Sequence, residues 1–370
     1  MQPTPPQNTE DLPADAAAAA APSAEALAGV ELHFVCTEAA IWPELRNGGM
    51  GPIAPEAMAA RSNHLHDNWV LRTCLHLRRA GVTAGVGPVP RPEAINIVSG
   101  HDIGRRMRLN DAFLVVAQGD AHWSALADFH ILQNRLHRPG RRRAPMWHWP
   151  QSGLVPRDPS RGTRLERVSY KGVVGNLDAA FRDPAFAEAL AQQGVELDLD
   201  MVTFPEAGHR WHDYSDCDAV LAVRNLTRYD ATKKPASKLV NAWMTGVPAI
   251  LGPEPAFREL RQSPLDYLEV RSPAEALAAV ERLKADPDLY RRMVENGRSR
   301  AAAFTEAQLT QLWIATLAGP VLTAFRRWQR RPAPLRRATA LLQILIEPLI
   351  RRHDRYSVLN GPRILSAAAT

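Results

Sequence analysis

The feature that most constrains this chain is an alternation of short apolar runs with helical patterns, which begins near residue 31 and restarts after residue 166. This rhythm is typical of α/β domains built on parallel sheets. In the first half the candidate strands are ELHFVC, AINIVSG, AFLVVAQGD and FHILQN, and the last three end in small or polar residues. Ligands of open parallel sheets bind beyond the carboxyl ends of the strands, so we expect functional residues there.

A segment rich in Pro, Arg and Gly begins at residue 135, separates the two halves and is predicted to be a linker. Beyond it the sequence predicts strands in RVSYKG, VELDLD, DAVLAVR, VPAIL and YLEV, and one long helical stretch after the last of them. With 370 residues, 45% of them hydrophobic, the chain is long enough for two domains. The predicted parts are a disordered tail (1–29), an N-terminal α/β domain (30–156), a C-terminal α/β domain (157–325) and a basic helical tail (326–370).

Composition excludes several classes of protein. The net charge of +6 favours acidic partners such as phosphates or a membrane surface. The three cysteines, Cys36, Cys74 and Cys217, form neither a disulfide framework nor a CxxC zinc site, which favours a reducing cytoplasm. Walker A, GxSxG and HExxH sequences are missing, so P-loop, serine-esterase and zincin chemistry lack their residues. No aromatic–basic pattern of a nucleic-acid module occurs, and no nucleic-acid partner is expected.

The stretch KKPASKLVNAWMTGVPAILG, residues 233–252, gathers three lysines and a serine at the start of a predicted helix. Unpaired N–H groups and a partial positive charge make a helix N-terminus a seat for a diphosphate. Lys238 is the preferred phosphate ligand, and Lys234 adds a second positive charge. Ser237 is a candidate ligand as well, or it only caps its own helix. Lys233 is predicted to be a solvated surface charge.

The order of DAVLAVR, a basic loop, KPASKLVNAWMTGVPAILG, an EL helix, YLEV and SPAEALAAVERL resembles the nucleotide-sugar-binding half of GT-B glycosyltransferases. The resemblance is clearest from Arg167 to Phe304. It implies the GT-B fold, in which two Rossmann-like α/β domains face one another across a cleft and C-terminal helices follow. The N-terminal domain then binds the acceptor and the C-terminal domain binds the nucleotide sugar.

The same resemblance implies transfer of a sugar from a nucleotide-sugar donor to an acceptor hydroxyl, in surface polysaccharide or glycoconjugate synthesis. The nucleotide sugar is a co-substrate, and neither a cofactor nor a metal is implied, because GT-B enzymes generally neutralise the leaving diphosphate with a helix dipole and basic side chains. The acceptor is a glycan, a lipid-linked molecule or a small molecule. Two alternatives stay open: a GT-B nucleotide-sugar epimerase, and a noncatalytic phosphate- or nucleic-acid-binding protein.

Asn241 stands where many retaining GT-B enzymes place a glutamate that holds the ribose, and Lys233 stands in place of the matching glutamate eight residues earlier. This departure leaves the stereochemistry of transfer undecided. The second domain opens with YKGVVGNL, in which Gly172 and Gly175 would let a ligand approach the backbone. Lys171 beside them reaches the same diphosphate or is an edge-strand lysine.

Three arginines are also candidates. Arg224, at the end of AVLAVR, is predicted to grip phosphate in the cleft, or to form a salt bridge with Asp216 or Asp218. Arg157 and Arg161, in the linker, are predicted to line the interdomain cleft. The linker tryptophans Trp147 and Trp149 are predicted to pack rather than to stack on a ligand.

Direct displacement at a sugar needs a base for the acceptor hydroxyl, and three segments of the first domain supply one. SGHD provides His101 and Asp102, which are the favoured pair. QGD provides Asp120, which ends a strand or caps the next helix. The third segment is NHLHD, residues 63–67.

The C-terminal tail FRRWQRRPAPLRRATALLQILIEPLIRRHDRYSVL alternates between basic and apolar residues. Its central apolar run is shorter than a bilayer span and is interrupted by Glu347 and Pro348, so it is predicted not to cross a membrane. The tail lies either on an anionic membrane surface, near lipid-linked acceptors, or against the first domain.

Overall fold

The structure is a computed structural model that describes residues 24–61, 64–136, 140–202 and 210–366. Most of the predicted disordered tail lies outside these residues. The described part begins with a 3₁₀ turn, Ala24–Leu27, whose Leu27 side chain is buried. Two parallel sheets follow, one in each half of the chain. The predicted fold class, two Rossmann-like α/β domains with C-terminal helices, is confirmed.

The first sheet has six strands in the order β2-β1-β3-β4-β5-β6, and every pair is parallel. Its strands are β1 Leu32–Val35, β2 Ala84–Gly87, β3 Ile95–Ser99, β4 Phe113–Ala117, β5 Phe129–Leu132 and β6 Arg143–Pro145. The four predicted strands are all present. β2 and β6 were not predicted, because β2 reads AGVG and β6 lies in the Pro- and Arg-rich segment. Both strands are pairing partners for apolar neighbours rather than apolar runs themselves.

In the described part of this half of the chain there are three short α-helices: α1 Pro55–Arg61, α2 Arg72–Arg79 and α3 Arg105–Arg108. A π-helical turn, Asp67–Leu71, leads into α2. Helix α2 is buried along most of its length and packs near the C-terminal helices. Its Arg72 donates to the carbonyl of Pro150, in the segment between the two sheets, at 2.6 Å. The first domain is therefore closed by residues from distant parts of the sequence.

The second sheet has five parallel strands in the order β11-β10-β9-β7-β8. Its strands are β7 Arg167–Val173, β8 Glu196–Val202, β9 Ala219–Ala222, β10 Ala249–Leu251 and β11 Leu268–Glu269. Its helices are α4 Pro184–Gln192, α5 Arg228–Ala231, α6 Ser237–Thr245, α7 Pro255–Leu260, α8 Pro273–Ala285 and α9 Pro287–Ala301. All five predicted strands are present. The predicted long helix is broken between α8 and α9, because Asp286 caps α9 and Pro287 begins it.

The C-terminal helices return to the first domain. They are α10 Glu306–Thr316, a π-helical turn at Leu317–Val321, α11 Leu322–Gln329 and α12 Ala333–Asn360. Trp313 and Phe325 belong to the same buried cluster as Phe34 and Phe113 of the first sheet. Among the described helices, none combines the length and the apolarity that a membrane crossing requires.

Arg157 and Arg161 do not line the cleft, and that prediction is wrong. Both bind the carboxylate of Asp218, which is fully buried just before β9, at the amino end of the strand rather than at its carboxyl end. The shortest contact is 2.7 Å for each arginine. The backbone N–H groups of Glu166 and Arg167 donate to the same carboxylate, at 2.9 and 3.0 Å. A buried charge must be paired. Both guanidinium groups bind the buried carboxylate of Asp218 for this reason, instead of facing the cleft.

We therefore expect Asp218→Ala to lower the free energy of unfolding by about 3 kcal/mol or more, because it leaves two partly buried arginines unpaired. Urea denaturation followed by circular dichroism measures the change. Asp288→Ala is the matched control, since its partner Arg291 lies with it on the surface of α9; its effect should stay below about 1 kcal/mol. Equal stability of the two variants would contradict the structural role given to Asp218.

Candidate functional site

The candidate site is a cavity of about 560 Å³ between the two domains, at the carboxyl ends of strands from both sheets. His101 follows β3, Asp120 follows β4, Lys171 lies two residues before the end of β7 and Arg224 follows β9. Larger hollows of 720 and 980 Å³ lie beside α8 and along β2, away from these strand ends. The residues that line the 560 Å³ cavity and were singled out from the sequence are His64, His101, Asp120, Lys171, Gly172, Arg224, Lys234, Ser237, Lys238 and Asn241.

The N-terminus of α6 opens onto this cavity. Ala236 is its N-cap residue, and no side chain accepts a hydrogen bond from the first turn. The alternative in which Ser237 only caps its own helix is therefore wrong. Within the described residues, the hydroxyl of Ser237 has no hydrogen-bond partner, and the side chain lines the cavity. The end of the helix thus presents uncapped N–H groups and a hydroxyl, a suitable arrangement for an anion.

Lys238 is held in place one residue further along. Its Nζ donates to the backbone carbonyl of Lys171 and lies 4.9 Å from the centre of the Tyr170 ring. Burial, with a smaller contribution from Arg224 nearby, lowers the pKa of Lys238 to about 7. Gly172 makes this position possible, since a Cβ there would lie 2.8 Å from Nζ and 2.8 Å from the Tyr170 hydroxyl. Gly172 was predicted to leave room for a ligand to approach the backbone. In the structure it is the Lys238 side chain that makes this close approach.

The other cations of the wall are each paired with a carboxylate. Lys171 lies in β7, which is an inner strand between β9 and β8, so the edge-strand alternative is wrong; its Nζ lies 3.9 Å from Asp200. Arg224 forms a bidentate pair with the fully buried Glu254, and not with Asp216 or Asp218.

Lys234 crosses between the domains. Its Nζ lies 3.2 Å from a carboxylate oxygen of Asp120 in the first domain and 3.7 Å from Asp230 in its own. Burial would raise the pKa of Asp120, but the charge of Lys234 outweighs it and holds that pKa below its usual range. Asp120 is therefore an ionised partner for Lys234, with little basicity of its own.

Two further predictions meet different outcomes. Asn241 lines the cavity, and its side-chain oxygen accepts a hydrogen bond from the backbone N–H of Gln151 at 3.1 Å. Gly175 is not part of the cavity wall. Lys233 is not a solvated surface charge: it is only 2% exposed, and its Nζ lies 3.1 Å from the buried carboxylate of Asp354 in α12. The sequence could not show that the buried carboxylate of Asp354 is the partner of Lys233.

The favoured pair His101 and Asp102 is divided by the structure. His101 lines the cavity, whereas Asp102 lies behind the wall with an oxygen 3.7 Å from Nδ1 of His66. His66 in turn stacks on His64, which lines the cavity, with ring centres 5.4 Å apart. The segments SGHD and NHLHD, predicted as separate alternatives, are therefore neighbours.

A family model described as glycosyl transferase-like matches residues 205–313, which include Arg224 and all of α6. This segment is a glycosyl transferase-like domain. The predicted resemblance to glycosyltransferases is thereby confirmed over this part of the chain. No curated protein sequence matches the chain.

Solved structures similar to the chain include glycosyltransferases and a synthase. The Anabaena HepE structure with UDP is 12% identical, and the match covers 78% of this chain and 99% of that one at a TM-score of 0.45. A sucrose-phosphate synthase from Thermosynechococcus elongatus is 14% identical, with coverages of 82% and 92% and a TM-score of 0.45. AviGT4, a glycosyltransferase of avilamycin A biosynthesis, is 15% identical, with coverages of 82% and 98% and a TM-score of 0.46.

His148 lines the cavity as well, although the sequence did not single it out as a base. Its Nδ1 lies 2.5 Å from the carbonyl oxygen of Trp149. A carbonyl only accepts, so Nδ1 carries the proton and Nε2 keeps its lone pair. Burial lowers the pKa of His148, which keeps the ring neutral at pH 7. The signal was the phrase WHWP, but its tryptophans suggested packing, and Trp149 is indeed buried.

We expect the amine of Lys238 to titrate near pH 7. In the reductively ¹³C-methylated protein, one lysine resonance should then shift between about pH 6 and pH 8, because the ammonium form is lost as pH rises through this pKa. The chain has few lysines, and Lys238→Arg assigns the resonance by removing it. A wild-type spectrum in which no lysine signal moves over this range would contradict the prediction.

Proposed function

We propose that this protein is a GT-B glycosyltransferase that moves a sugar from a nucleotide-sugar donor to an acceptor hydroxyl. The observation that supports it best is the uncapped N-terminus of α6, which carries Ser237 and Lys238 and opens onto the cavity between the two α/β domains. Helix α6 lies within the segment that matches the glycosyl transferase-like family model. Among the described residues, four cationic side chains line this cavity, against one carboxylate, that of Asp120. Such an excess of positive charge suits a diphosphate.

In this proposal the donor diphosphate lies at the first turn of α6. Backbone N–H groups and the Ser237 hydroxyl donate to it, and the ammonium of Lys238 provides the charge-assisted contact. Lys171, Lys234 and Arg224 set the positive potential of the wall while their carboxylate partners hold them in position. As the bond between the anomeric carbon and the diphosphate oxygen breaks, the diphosphate leaves with the electron pair, and these groups stabilise its charge.

The acceptor hydroxyl enters from the first domain. Its oxygen attacks the anomeric carbon and its proton passes to a base, for which His101 and His148, both on the cavity wall, are the candidates. Asp120, ionised and bound to Lys234, orients that lysine. Asp102 acts through His66, behind the wall.

The finer parts of the proposal concern the substrate and the setting. We propose transfer of a hexose without a metal ion, in the synthesis of a surface polysaccharide or glycoconjugate. The acceptor is a glycan, a lipid-linked molecule or a small molecule. The three cysteines are free thiols, in keeping with the proposed cytoplasmic setting. Transfer that continues unchanged in excess EDTA would support the metal-independent mechanism, and transfer that stops would refute it.

Binding of the diphosphate tests the donor site. A charge-assisted hydrogen bond contributes roughly 1.5 to 3 kcal/mol, so Lys238→Ala should weaken binding of a nucleoside diphosphate by about ten- to a hundredfold at pH 7. Above pH 7, wild-type affinity should fall as free Lys238 loses its proton, by up to about tenfold per pH unit. The variant should lack this dependence. Calorimetry with UDP, GDP, ADP and dTDP measures both effects.

The parent nucleosides provide the control, because a loss that extends to them reports misfolding rather than a phosphate contact. Equal diphosphate affinity of the wild type and Lys238→Ala would exclude Lys238 as a ligand. Binding of a nucleotide sugar followed by release of its C2 epimer, with no acceptor consumed, would identify the epimerase alternative instead.

The base is tested by single substitutions in the first domain. We expect His101→Ala or His148→Gln to lower kcat at least about a hundredfold while diphosphate affinity is kept, since a lost general base removes proton transfer and not donor binding. Asp102→Asn, behind the wall, should cost much less. Transfer assays on the three variants decide the assignment, and near-normal kcat for both histidine variants would rule out an imidazole base.

A further inference from the structure

Helix α12 is attached to the rest of the protein by polar residues. Its buried side chains include Gln343, Glu347 and Asp354. Glu347 accepts hydrogen bonds from the Ser124 hydroxyl at 2.8 Å and from the Ala125 N–H at 2.6 Å. Gln343 donates to the carbonyl oxygen of Ala127, at 3.2 Å. The helix therefore uses hydrogen bonds and ion pairs where an ordinary surface helix uses apolar packing.

The opposite face of α12 is apolar and uncovered. Its large apolar side chains are between 53% and 72% exposed: Leu335, Leu341, Leu342, Leu345, Leu349, Tyr356 and Leu359. Most of them recur at spacings of three and four residues, which places them in one stripe along the helix. Isolated exposed leucines are ordinary, but a continuous stripe of this length marks an interaction surface.

The exposed charge around this stripe has one sign. From residue 307 to residue 366 the only acidic residues are Glu347 and Asp354, and both are buried and paired. Arg337 and Arg355 are eighteen residues apart, five helical turns, and so follow the same side of the stripe. The exposed arginines of this described segment are Arg326, Arg327, Arg330, Arg331, Arg337, Arg352, Arg355 and Arg363.

We propose that α12 lies on an anionic membrane surface, with its leucine stripe in the interface and its arginines at the lipid head groups. A second copy of the chain fits less well, because two such helices would bring arginines together with no exposed carboxylate between them. An anionic lipid surface satisfies both features at once: it accepts the apolar side chains and attracts the arginines.

This contact is independent of sugar transfer, because neither α12 leucines nor these arginines line the 560 Å³ cavity. The helix spans 28 residues, so about 40 Å of the protein would rest on the lipid. Glu347 and Asp354 tie the helix to the body of the protein, which therefore follows the helix to the membrane. Donor binding and membrane binding can fail separately.

Co-sedimentation of the full chain with lipid vesicles tests the proposal without any donor. The wild type should sediment with vesicles of phosphatidylcholine that contain about one third phosphatidylglycerol. Much less of it should sediment with vesicles of pure phosphatidylcholine. Leu345→Glu/Leu349→Glu should weaken binding at least about tenfold, because two exposed apolar contacts become repelled charges. Val89→Glu/Leu136→Glu is the matched control, since both side chains are exposed but lie outside α12, and it should bind like the wild type.

Arg337→Gln/Arg355→Gln should weaken binding at low salt and make it less dependent on added salt than binding of the wild type. Circular dichroism confirms that each variant is folded. A wild type that stays in the supernatant with anionic vesicles at low salt would overturn the proposal. So would light scattering that shows a dimer which Leu345→Glu/Leu349→Glu converts to a monomer, if vesicles bind neither protein.

Discussion

The carboxylate of Asp354 organises the region around the cavity. It is fully buried, and it meets three partners from two domains: Nδ1 of His122 at 2.9 Å, Nζ of Lys233 at 3.1 Å and the hydroxyl of Tyr229. Burial alone would raise its pKa, but these partners hold the pKa at about 2, so the carboxylate stays ionised throughout the physiological range. Contacts with α12 thus fix the basic loop before α6, and they also fix the position of the lysines that follow the loop.

The cavity wall near Asp354 carries four cationic side chains, and one of them has no carboxylate partner among the described residues. Three of its cations already have carboxylate partners, whereas Lys238 rests on a carbonyl and an aromatic face. Its lowered pKa reflects the cost of keeping an ammonium there without an anion. In the proposed donor site a diphosphate would supply this anion, so its binding and the protonation of Lys238 would be linked.

The sequence was a good guide to what depends on local pattern. Apolar runs such as FLVVA formed strands because a strand covered on both faces needs continuous hydrophobicity, and the predicted strands of both sheets are present. The α6 corner and the placing of Lys238 and Ser237 on the cavity wall also followed from local signals. The failures concern partners distant in sequence. Lys233, Arg157 and Arg161 looked like surface or cleft charges because their partners, Asp354 and Asp218, lie up to 121 residues away.

Helix α12 also has a mechanical consequence. It holds the first domain through Glu347 and both domains through Asp354, and near its end the Thr227 hydroxyl donates to the Val358 carbonyl. Pro348 stands between these attachments and lacks the N–H that would bind the preceding turn. Because Asp354 of this helix binds His122 of the first domain and Lys233 of the second, moving the domains apart would break at least one of these two contacts.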